Sequence, residues 1–89
     1  MKQWVLYILR CSDDTLYTGI TNDLNKRLLA HNSGKGAKYT RGRGPVVPVY
    51  REVCLDHIHA LQREREVKKL TRQQKLALIE NNENLSNRS

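Results

Sequence analysis

Two tyrosines, Tyr7 and Tyr17, lie in the apolar start of an 89-residue chain, and Arg27, His31 and Glu64 follow them. A phenol ionises near pH ~10, so it accepts a proton from water at neutrality only where positive charge or a metal-bound water favours the phenolate. Arg27, a basic loop over residues 33–45 and a metal ion would each supply such charge. Singly, the same residues have ordinary explanations. A strand tyrosine is commonly just amphipathic, Arg27 can pair with Asp23, and His31 can sit solvated at a helix end. Glu64 carries more information, because Ala60, Leu61 and Val67 place it inside an apolar helical arc. A carboxylate there needs a partner, either Lys68 one turn on or a metal ion.

The elements around these residues can be read from pattern. Trp4 to Leu9 is short, apolar and rich in aromatic and β-branched residues, which suits a strand buried on both faces. Leu16 to Thr21 reads as its hairpin partner across the turn formers Ser12, Asp13 and Asp14. Side chains alternate along a strand, so an odd loop such as Ser12 to Asp14 puts Tyr7 and Tyr17 on one face. Asn22 is a suitable N-cap for a helix reaching about Asn32. On it Arg27 and His31 share a face, within roughly 60° of Leu24 at ~100° per residue. Strand character resumes over Val46 to Val53, where Pro48 implies an edge position. Asp56 can cap a helix to about Leu70, and Thr71 a short one ending near Glu80. The expected architecture is α+β: a small three-stranded antiparallel sheet packed with about three helices, in the order strand, strand, helix, strand, helix, helix. One domain is expected over residues 1–80, with a disordered tail over 81–89.

Sixteen Lys and Arg against nine Asp and Glu give a net charge of +7. That balance either attracts a polyanion or simply keeps a small protein soluble, and clustering is what separates the two. Lys35, Lys38, Arg41 and Arg43 crowd one glycine-rich loop around Tyr39, a pattern suited to clamping a nucleic-acid backbone beside one stacking surface. Lys68 belongs to a second basic group with Arg63, Arg65, Lys69 and Arg72. The loop lacks the spacing of a nucleotide-binding P-loop, so no nucleotide cofactor is expected. Cys11 and Cys54 form no zinc pattern and read as reduced, buried thiols. No run is long and apolar enough for a signal core or a membrane span, which points to the cytoplasm.

At Val5-Leu-Tyr7 and Tyr17-Thr-Gly19 the chain resembles the GIY-YIG nuclease family, in its small stand-alone bacterial, UPF0213-like branch. Arg27, His31 and Glu64 follow in that family's order. The stretches Leu16 to Thr21, His31 to Arg41, Ala60 to Glu64, and Val67 to Arg72 with Lys75 look like the same branch. Val5 and Leu6 replace the Gly and Ile of the family's name, while the tyrosine is kept. The resemblance implies that Tyr7 and Tyr17 position or deprotonate an attacking water, that Arg27 stabilises phosphate charge, and that His31 is accessory. It further implies that Glu64 binds one Mg²⁺ or Mn²⁺, with Gly19 structural. A metal-dependent DNA endonuclease is the expectation, and a nucleic-acid-binding module with this fold but little turnover is the alternative.

Overall fold

The computed structural model describes residues 3–34 and 42–87, with side chains to residue 81. Its sheet is built on β1 (Val5–Arg10), whose first five residues are all buried. A strand with no polar face must be covered on both sides and both edges. Accordingly β1 is central, between β2 (Leu16–Thr21) and β3 (Val47–Val53), antiparallel to each. The expected α+β fold and element order are present, completed by α1 (Leu24–Asn32), α2 (His57–Lys68) and α3 (Arg72–Asn87).

The hairpin loop has the odd length that the tyrosines require. Cys11 N–H donates to the Thr15 carbonyl and Asp14 N–H to the Cys11 carbonyl, both at 2.9 Å, closing a loop of Ser12, Asp13 and Asp14. Asp14 takes the left-handed position at φ 69° that ends such a three-residue turn. The resulting register sets Tyr7 opposite Gly19 and Leu9 opposite Tyr17. Pro48 does lie on an edge strand. The pairing slips by one residue between Ile8–Tyr50 and Leu9–Pro48, so the proline sits at a bulge, where its missing N–H costs little.

The two faces of β1 feed separate cores. Leu6 and Ile8 pack with Tyr50, Cys54, Ala60, Val67 and Ile79, which brings α2 and α3 onto that face. Tyr7, Leu9 and Cys11 pack with Val46, Tyr17, Leu24 and Leu28, which brings α1 onto the other. Alternation along one strand thereby separates the helix bearing Arg27 and His31 from the helix bearing Glu64.

Local chemistry fixes the helix starts, with two departures from the sequence reading. The cap of α1 is Asp23, not Asn22. The Thr21 hydroxyl accepts the Asp23 N–H at 3.1 Å, leaving the Asp23 carboxylate to accept from Lys26 N–H at 3.2 Å. Asp56 caps α2 as expected, accepting His59 N–H at 2.8 Å. Before α3, Thr71 and Gln74 satisfy each other's backbone N–H reciprocally, a capping box. This helix runs to Asn87 instead of stopping near Glu80, because Asn and Glu lower helix propensity only slightly and no Gly or Pro intervenes before its end. Arg63 on α2 donates to Glu52 on β3 at 2.7 Å, and Glu52 also accepts the Tyr50 hydroxyl at 2.6 Å. That network fastens α2 to the sheet.

Candidate active site

The site begins with the glycine at position 19. A Cβ there would stand 2.6 Å from the Tyr7 hydroxyl oxygen, 2.7 Å from its Cζ and 3.1 Å from a Tyr17 ring carbon. The absence of a side chain lets the Tyr7 ring lie across β2 with Tyr17 beside it, ring centroids 6.3 Å apart and tilted by 45°. Tyr7 is 1% exposed, while Tyr17 is half-buried toward the open edge of β2.

Helix α1 closes this face with polar groups. His31 is 2% exposed, and its Nε2 lies 3.2 Å from the Tyr7 hydroxyl oxygen. Its ring also meets Tyr17 edge-on at 5.3 Å. A solvated helix-end imidazole is therefore ruled out. The helix end is held by Asn32, whose Oδ1 accepts the Val46 N–H at 2.7 Å. Arg27, one turn before His31, turns its guanidinium to the hydroxyl of Tyr7 and then to that of Tyr17.

Electrostatics sort these groups. Burial pushes the Tyr7 phenol upward, against the pull of the Arg27 hydrogen bond; Tyr17 and Glu64 add smaller upward contributions. Tyr7 thus holds its proton at neutral pH. Burial, with Arg27 nearby, lowers the His31 imidazole below its ordinary value, so it is largely neutral there. A protonated phenol and a neutral imidazole in contact form a proton donor and acceptor pair.

Glu64 approaches from α2 closely enough to act on Tyr7. Its side chain is 21% exposed, and Lys68 Nζ lies 3.4 Å from it, so the i, i+4 pairing is formed. Among the described residues no group of three or more His, Cys, Asp or Glu gathers as a metal site. A lone carboxylate still fits Mg²⁺, which keeps several waters and takes phosphate oxygens as further ligands.

Of the expected nucleic-acid contacts, Lys35, Lys38, Tyr39 and Arg41 lie outside the described residues. Arg43 is turned to the hairpin, its guanidinium paired with Asp13 and its carbonyl accepting from both Ser12 N–H and Ser12 Oγ. Lys68 lines a cleft at the β2 edge with Leu16, Tyr17, Thr18 and Lys75. The family resemblance includes Lys75 without giving it a role. Two helices separated by the break at Leu70 and Thr71 give no periodicity linking it to Lys68.

The family model of the GIY-YIG catalytic domain matches residues 3–77. The chain belongs to the GIY-YIG family. A UPF0213 protein of Clostridium perfringens is 61% identical to this GIY-YIG chain over 74 residues, 83% of the chain and 80% of the relative. A UPF0213 protein of Staphylococcus haemolyticus is 49% identical over 80 residues, 90% and 98% of the two lengths. The solution NMR structure of a protein from E. faecalis is similar with a TM-score of 0.64 and 38% identity, covering 91% of this chain and 86% of that one. That of a UPF0213 protein from Bacillus halodurans gives 0.56 at 45% identity, covering 90% and 84%. The GIY-YIG catalytic domain supports a nuclease-like function. Among the described residues no helix is long and apolar enough to cross a membrane.

Proposed function

We propose that the chain is a metal-dependent endonuclease that hydrolyses phosphodiester bonds of DNA with a water activated through Tyr7. The observation that carries this reading is the 3.2 Å contact between the Tyr7 hydroxyl and a neutral, buried His31, with Arg27 against the same hydroxyl. A raised phenol is a poor base by itself. It becomes an effective relay when its own proton can leave as another arrives. The water oxygen attacks phosphorus as the P–O bond to the leaving oxygen breaks; the water proton passes to the Tyr7 oxygen, the Tyr7 proton passes to His31 Nε2, leaving imidazolium, and the leaving alkoxide takes a proton from solvent. Arg27 stabilises transient phenolate and the growing phosphate charge. Tyr17, at the open edge, orients the water. Glu64 would hold one Mg²⁺ or Mn²⁺, which when bound would supply Lewis-acid neutralisation at the leaving oxygen. The cytoplasm is the compartment in which such an enzyme would meet DNA.

A second reading, a nucleic-acid-binding module with little turnover, draws on the near-complete burial of Tyr7 and on the Glu64–Lys68 pair. Incubation of the protein with single-stranded, duplex and branched DNA and Mg²⁺ or Mn²⁺ separates the two. Metal-dependent cutting that disappears in Tyr7→Phe and Glu64→Ala is the expected result. Binding retained in both variants, with no cutting by the parent protein, leaves the binding module.

A further inference from the structure

The cleft at the free edge of β2 has a volume of about 340 Å³, within the range of ligand-sized sites. Its walls are Leu16, Tyr17 and Thr18 from the strand and Lys68 and Lys75 from α2 and α3. Two of these belong equally to the active site: Tyr17 faces Tyr7 and His31, and Lys68 is bonded to Glu64. The cleft is therefore continuous with the place where the scissile phosphate would sit. Lys75 is half-buried in it, and no carboxylate among the described residues pairs with it. Beside Lys68 in the same cleft, its ammonium is placed to pair with an external anion.

We propose that this cleft binds one unpaired nucleotide of the substrate, next to the scissile phosphate. Its phosphate lies between Lys75 and Lys68, and its base rests on the apolar surface of Leu16 and Tyr17. A base inside a duplex is stacked on both sides and cannot enter such an edge cleft without leaving its helix. A lone lysine pair would read any polyanion, whereas an apolar wall beside it reads a base face. The proposal rests on the phosphodiesterase reading for its meaning, and its test is independent of turnover.

The test is fluorescence anisotropy, in EDTA, of a short labelled oligothymidylate and of the same strand annealed to its complement, across a range of salt. Lys75→Gln should weaken single-strand binding roughly fivefold at 0.1 M salt and flatten the log–log salt slope by about 0.7, the loss of one phosphate contact. Arg51→Gln removes the same charge from an exposed position of β3, at the opposite edge of the sheet and away from the cleft, and should do neither. An unchanged urea midpoint shows that Lys75→Gln is folded. Equal losses in the two variants, or equal losses on single strand and duplex, overturn the assignment. Cleavage assays on the parent protein report separately: cutting with no Lys75 effect removes the subsite alone, and a Lys75 effect with no cutting removes the nuclease reading alone.

Discussion

Gly19 makes the tightest demand of any single residue in the site. An added Cβ would stand 2.6 Å from the Tyr7 hydroxyl oxygen, and the ring, wedged under α1, has nowhere to retreat. Gly19→Ala should destabilise the fold by about 1–3 kcal/mol through overpacking and abolish cleavage, as urea denaturation and a nicking assay would show. His31 gives a prediction in pH. Its folded value lies below the ordinary ~6.5, so between the two the unfolded chain binds more protons. The sign follows: this contribution to stability is fully present above about pH 6.5 and is lost as pH falls toward the folded value. NMR titration of the His31 ring should give a midpoint under 6.5, and cleavage should decline over the same interval as the acceptor is filled. Thr18 is a contrasting case, 3% exposed with its hydroxyl unpartnered among the described residues. Thr18→Val should therefore be neutral or stabilising by up to ~1 kcal/mol in thermal melts.

Among elements, the fastening of α2 to β3 decides where Glu64 sits. Arg63 and Glu52 are 29% and 23% exposed, so their pair is better shielded than a surface ion pair. Removing the carboxylate in Glu52→Ala should cost roughly 1–3 kcal/mol. Burial, then Glu52, pushes the Tyr50 phenol up to about 12. Ultraviolet difference titration of the variant should find it lower, yet still above the ordinary ~10 because burial is the larger cause. The order of the elements was legible in the sequence because its signals are local: turn formers at Ser12 to Asp14, a proline at an edge, side-chain caps at Asp56 and Thr71. The Tyr7–His31 contact was not legible. It depends on α1 packing against the opposite sheet face from α2, which neither helix's periodicity specifies. Resemblance brought the five site residues together, but it could not say that His31 would be buried, or that Arg43 would turn to Asp13.

Across the whole molecule, a charge of +7 on 89 residues acts at long range on any polyanion. Nucleic-acid binding should weaken steeply with salt, and the slope of log affinity against log salt counts the phosphates engaged. A protein-interaction adaptor would show no such slope. The central strand also has a consequence for how the chain is made. β1 leaves the ribosome before both of its neighbours, β2, a few residues behind, and β3, which ends only at Val53. During synthesis the most apolar strand keeps one edge uncapped while some forty residues are added. An edge in that state recruits whatever extended chain is nearest, so nascent-chain chaperones should meet this protein before its third strand does.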